Sequence, residues 1–297
     1  MDAADIYSLV ALGKCARQYS HSANIQINNR IKAFWGRYGD YTALSNLLRV
    51  TNAYATGPAL LSFLLSPRYG IPHIPFDNRL DIYTSAAGFV GLVHTLSGAE
   101  HSPYKLAETA YYGPWDAALT YHYVTIRQDL EHKTDPSIKI SVYEIFDDHP
   151  LTSILTFNAT HEMNMLGSSS LYSFYPSLTR RRRAVIQPGD EIDPSTLESW
   201  ETMGFQVENA PREVCPGFCA RRAARCEPPA YMHVRVDNPS PALTVVHPPT
   251  IDEIPHHIQW YFNIKHTCDN FNCPNQSCDP ADYMLNRLAL DWNAGSF

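Results

Sequence analysis

Tyr54-Ala-Thr-Gly-Pro-Ala-Leu-Leu-Ser-Phe-Leu-Leu65 turns at Thr56-Gly57-Pro58 into a short apolar helix. Pro58 suits the first helical turn, where a missing N–H is no loss. Downstream, a loop with Pro67, Pro72 and Pro75 leads to Arg79-Leu-Asp-Ile-Tyr83, read as a strand end, and Ala86–Leu96 reads as a helix. Tyr121–Ile126 alternates like a strand. Ile138–Phe146 does so more clearly, with Ile138, Ile140 and Val142 on one face and Lys139 and Ser141 on the other. Asp147-Asp148-His149-Pro150 opens a helix striped by Leu151, Ile154 and Leu155, and its aspartates favour the positive end of the helix dipole. Upstream, residues 24–50 carry apolar side chains at helical spacing, broken near Gly36–Gly39, which predicts two helices joined by a turn. Helices interleaved with strands imply an α/β (α+β) layer structure.

A chain of 297 residues, 44% hydrophobic and 18% charged, can bury a sizeable core and has the composition of a globular protein. Its net charge of −7 argues against general nucleic-acid affinity. No apolar stretch approaches the ~20 residues that span a bilayer. The start, Met1-Asp-Ala-Ala-Asp5, is acidic where a secretory signal would be basic, so the expectation is an intracellular protein, cytoplasmic or nuclear, without disulfides. Phosphate-loop, dinucleotide and nucleophile-elbow motifs are absent from the sequence. His161-Glu162 resembles half of a zinc-protease helix, but Met165 replaces the second histidine.

Composition changes near Pro188: thirteen of the 22 prolines lie from Pro188 onward, together with six of the seven cysteines. We therefore expect an α/β core over 1–187, including the N-terminal helices, and a Cys/Pro-rich region over 188–297 packed on it. Cys215, Cys219 and Cys226 form one cluster, and His266, Cys268, Cys273 and Cys278 a second. Four thiolate or imidazole ligands close a tetrahedral structural zinc site. The second cluster supplies four, whereas the first is one short; buried thiols are the alternative. In the same region Phe218–Arg225 looks helical, Met232–Val236 alternates like a strand, and Ile258–Ile264 and Ala281–Trp292 are helix candidates. Arg180-Arg-Arg-Arg183 reads either as a nuclear-localisation or phosphate-binding patch, or as a solvated run answered by Asp190, Glu191 and Asp193.

The residues Tyr54–Leu60, Leu80–Tyr83, Ile138–Val142, Pro150–Phe157, Met163-Asn164 and Leu171–Pro176 carry a resemblance. Over residues 50–185 the chain resembles a group of uncharacterised basidiomycete fungal proteins whose layout is similar to the nucleotidyltransferase fold, a mixed sheet flanked by helices. The resemblance implies a Gly-Ser turn gripping a nucleotide triphosphate, here at Thr56 and Gly57. It also implies two carboxylates at alternate strand positions, with a third on a neighbouring strand, holding two Mg²⁺ ions that stabilise attacking and leaving oxygens. Asp77, Asp81 and Glu144 are the candidates. Pro58 stands in place of the serine and Arg79 in place of the first carboxylate, while Asp77 lies about 13 Å along the strand from Asp81. The plainer reading pairs Asp81 and Glu144 with neighbours such as Arg79 or Lys139. The sequence thus points to a degenerate nucleotidyltransferase-like pseudoenzyme that binds a nucleotide or a protein partner. The alternatives are an active metal-dependent nucleotidyltransferase and a zinc-stabilised interaction or nucleic-acid adaptor.

Overall fold

The structure is a computed structural model that describes residues 17–66, 79–98, 102–112, 124–146, 150–155, 157–186, 192–209, 224–225, 232–235 and 259–260. The chain divides into two units. The first comprises residues 1–157, 162–173 and 233–252, and the second comprises 158–161, 174–232 and 253–297.

The first unit opens with α1 (Arg17–Trp35) and α2 (Tyr41–Val50), the two helices expected from the spacing. The Asp40 side chain accepts the Ala43 N–H at 2.8 Å and so satisfies one of the donors that a helix start leaves unpaired. There follow β1 (Tyr54–Thr56), α3 (Gly57–Leu65), β2 (Arg79–Ser85), α4 (Ala86–Ser97), β3 (Tyr104–Tyr111), β4 (Val124–His132), β5 (Lys139–Ile145), α5 (Pro150–Leu155), β6 (Asn164–Leu166) and β7 (Ser170–Ser173). Phe34 of α1 meets Phe63 of α3 with ring centroids 4.9 Å apart, joining the first and third helices.

These seven strands form one sheet in the order β7-β6-β1-β2-β5-β4-β3. Every pairing is antiparallel except β2 with β5, which run parallel with Arg79 opposite Lys139 through to Ser85 opposite Ile145. Because strand side chains alternate and paired residues share a face, this register sorts the sheet into two faces. Leu80, Ile82, Leu130, Ile140 and Val142 occupy the core face and are all at most 1% exposed. Thr84 on that face donates its hydroxyl to the Thr51 carbonyl at 2.7 Å, which fixes the end of α2 over the sheet. The Tyr104 hydroxyl donates to the Tyr38 carbonyl at the same distance, and burial raises its pKa. The opposite face carries Arg79, Asp81, Tyr83, Ser141, Tyr143, Arg127 and Asp129, and is polar.

The second unit contains α6 (Pro176–Arg180), β8 (Arg183–Ile186), α7 (Pro194–Thr202), β9 (Gln206–Asn209), β10 (Ala224–Arg225) and, after β11 (Met232–Arg235), β12 (Gln259–Trp260). His233–Arg235 of β11 belong to the first unit, where the strand extends the sheet beside β7. β8 and β9 are parallel neighbours connected through α7. Asp193 caps α7, its carboxylate accepting from the Ser195 and Thr196 N–H groups. His161 is fully buried between Trp200 and Phe205, at centroid distances of 4.7 and 4.4 Å. Burial pushes its pKa down to about 3.

Two helix expectations are corrected in this unit. Ala224–Arg225 pairs antiparallel with Gln259–Trp260, so Phe218–Arg225 ends in strand and Ile258–Ile264 includes one. A partner distant in the chain here overrides local helical spacing. The helix candidate Ala281–Trp292 lies outside the described residues. Among the described residues no helix is long and apolar enough to cross a membrane.

A candidate site on the polar face of the sheet

β1 ends at Thr56 and the chain enters α3 at Gly57, whose φ of +83° is strained for any other residue. The absence of a side chain matters as well: a β-carbon there would fall 2.7 Å from the Asp81 Cγ. The turn is thus shaped around Asp81, the register partner of Thr56. Thr56 is fully buried, makes no side-chain cap to α3, and its hydroxyl finds no hydrogen-bond partner among the described residues.

Asp81 is 7% exposed. Arg79, two residues earlier and so on the same face, donates from Nε to Asp81 Oδ1 at 2.9 Å and from Nη2 to Oδ2 at 3.5 Å. A planar guanidinium fork matched to a carboxylate is the strongest common side-chain pairing. Arg79 therefore neutralises Asp81.

The rung runs on across the sheet as Thr56, Asp81, Ser141 and Asp129. Ser141 donates its hydroxyl to Asp129 Oδ1 at 2.7 Å. Asp129 is gripped in turn by Arg127, from Nε to Oδ1 at 3.0 Å and from Nη2 to Oδ2 at 2.6 Å. That bond is the leading cause of the raised Arg127 pKa. Two Arg-x-Asp forks, on β2 and β4, thus flank the central Ser141. In the next rung Tyr83 and Tyr143 stack at 4.5 Å and 11°, and Phe157 meets Tyr83 edge-on at 5.5 Å. Burial, aided by neighbouring negative charge from Asp81, drives both phenol pKa values up.

Of the candidate catalytic residues, Asp81 and Glu144 are described, and they do not converge. Glu144 pairs with Thr84 and Ile126, three positions beyond Ser141 on β5, which puts it on the face opposite Asp81. Its Oε1 accepts from the Thr125 hydroxyl at 2.7 Å. Asp129 shares the face of Asp81 but lies two strands away, about 9.6 Å at ~4.8 Å per strand. Each of these carboxylates is instead engaged by the arginine two residues before it, Asp81 by Arg79 and Asp129 by Arg127. No group of three His, Cys, Asp or Glu suited to a metal occurs among the described residues. The described donor set therefore does not fit a Mg²⁺ pair. Asp77, Cys215, Cys219, Cys226, His266, Cys268, Cys273 and Cys278 lie outside the described residues. No family model, no curated protein and no solved structure matches this chain.

Sequence reasoning missed Ser141, Arg127 and Asp129 as members of this surface. The available signal was the repeat of Arg79-Leu80-Asp81 in Arg127-Gln128-Asp129, each a same-face pair if the segment is a strand. The expected strand over Tyr121–Ile126 stops just short of it.

The arginine run is also resolved into parts. Arg182, at φ +54°, donates from Nη1 to the Met203 carbonyl at 2.9 Å, and Arg183 forks onto Glu208 at 2.9 and 2.6 Å. Half of the apparent basic patch thus holds β8 to the α7–β9 segment. The partner of Arg183 is Glu208 in place of the acidic residues near 190.

Proposed function

We propose that this chain carries a nucleotidyltransferase-like core that has lost the metal-dependent transfer step and works inside the cell as a nucleotide- or partner-binding pseudoenzyme. The observation that carries this reading is the Arg79 fork on Asp81. In the enzymes that the chain resembles, the position of Arg79 holds a second carboxylate, and two metal ions need both. A cation of the protein's own sits there instead. The sequence of strand, glycine turn, helix and acidic strand supports the ancestry of the core, and the placement of Glu144 on the other face supports the loss of chemistry.

The test is incubation of the purified chain with labelled nucleoside triphosphates and Mg²⁺ or Mn²⁺, alongside equilibrium binding of the same nucleotides. No turnover is expected, and any binding should persist in EDTA. Turnover abolished by Asp81→Ala would overturn the reading in favour of an active nucleotidyltransferase.

A further inference from the structure

β3 is the free edge of the sheet: β4 holds one side and no described strand pairs with the other. Between its buried first residue, Tyr104, and Tyr111 most of this eight-residue strand is exposed on both faces. Leu106 is 59% exposed and Tyr111 75% exposed. Both lie on the core face, since they pair with Leu130 and Ile126 of β4. An apolar stripe beside an unpaired backbone edge is the arrangement that recruits another strand.

The bulge in β3 dictates which strand fits. Leu106 pairs with Leu130 and Thr109 with Gln128, so Ala107 and Glu108 together oppose the single residue Asp129. Thr109 is anchored there by its hydroxyl bond to Gln128 Oε1 at 2.6 Å. Alternation therefore skips one place: Tyr104, Leu106, Thr109 and Tyr111 share the core face, while Lys105, Ala107, Glu108 and Ala110 share the polar face. In an antiparallel pair, residues opposite each other must share a face. For β3 laid against a copy of itself, the register centred between Ala107 and Glu108 meets this condition at every position from Tyr104 to Tyr111. A register shifted to either neighbouring two-fold centre sets a core-face residue against a polar-face one at the bulge.

We propose that β3 is a self-pairing edge, through which two copies of this chain join their sheets antiparallel about a two-fold axis between Ala107 and Glu108. In this register Tyr111 of one copy lies opposite Tyr104 of the other, and Leu106 lies opposite Thr109, so the exposed stripe gains aromatic and apolar cross-strand neighbours. On the polar face Lys105 is diagonal to Glu108 of the second copy, and the two-fold repeats the contact. Charges that would repel an unrelated edge here attract. The pairing is independent of any nucleotide and stands or falls apart from the proposed function.

The test is the mass of the full chain in solution by light scattering or sedimentation over a wide concentration range, for the wild type and three variants. A dimer is expected for the wild type. Leu106→Asp should move it to monomer. Glu108→Lys should weaken it about tenfold by setting Lys105 against a new cation, and Lys105→Glu combined with Glu108→Lys should recover most of that loss. Circular dichroism confirms that each variant is folded, as expected for exposed positions. A monomer at every concentration overturns the proposal, and so does a dimer that neither Leu106→Asp nor Glu108→Lys perturbs, which would place pairing elsewhere.

Discussion

The Asp81 carboxylate occupies the space that a side chain at Gly57 would need, with the Asp81 Cβ 2.9 Å from where a β-carbon would stand. Strand β2 and the β1–α3 turn are therefore fitted to one another through a contact that only glycine allows. Gly57→Ala should destabilise the chain by about 2–4 kcal/mol, combining the positive φ with the clash. In the Asp81→Ala background the carboxylate clash is relieved while the 2.9 Å approach to the residue-81 β-carbon remains, so the same substitution should cost less, about 1–2 kcal/mol. A double-mutant cycle from denaturant unfolding measures the difference, and additive costs would contradict the contact.

The fork between Arg79 and Asp81 is asymmetric in burial, with side-chain exposures of 37% and 9%. Removing the arginine strips a nearly buried carboxylate of its cation, whereas removing the aspartate leaves a cation that water can reach. Arg79→Ala should therefore cost more than Asp81→Ala, about 2 kcal/mol against less than about 1. Equal losses in unfolding midpoint would show that the surrounding charges, such as Lys139, share the task evenly.

His161 gives the second unit a pH dependence with a definite sign. Its folded pKa of about 3 lies far below the ordinary value of ~6.5. The unfolded chain takes up a proton there that the folded chain refuses. The contribution is complete above the unfolded value and is lost as pH falls from ~6.5 toward 3. Between about pH 6.5 and 5, where most carboxylates stay ionised, stability should fall by up to about 1.4 kcal/mol per pH unit. Substituting His161→Phe should flatten this slope, and an unchanged slope would assign it to another group.

Neighbouring arginines of one run should behave differently. Arg181→Ala, at an exposed position just past α6, should leave the thermal midpoint unchanged. Arg182→Ala should lower it, because the Met203 carbonyl loses its donor and the close approach to Gly204 is emptied. Matching melting curves for the two variants would return the run to a simple solvated patch.

What the sequence discloses depends on whether burial is one-sided. The α1–α2 pair and the strand from Lys139 are readable because one face of each is apolar and the other is not, whereas α3, buried nearly all round, is readable from the Thr56-Gly57-Pro58 turn that starts it. β3 was not readable: both faces are exposed and its bulge breaks the alternation between Leu106 and Thr109. β6 and β7 were missed for the opposite reason, every residue being buried, so that no period of two survives. At the site, Asp81 and its tie to Arg79 follow from spacing alone. The role of Ser141 does not, since only the parallel register of β2 with β5 sets it between two aspartates.

That parallel register also orders events as the chain is made. β1, β2 and α3 are synthesised early and can pair locally, but β2 cannot complete its second ladder until Lys139–Ile145 has been added beyond the whole of β3 and β4. The β3–β4–β5 meander pairs strands that are consecutive in the chain and can zip first, then close onto β2 in a single long-range step. Until then β2 presents a bare edge rich in Leu80, Ile82 and Tyr83. The nascent chain is most vulnerable to mispairing during that interval, and Arg79 and Asp81 are the only charges on the strand to guard it.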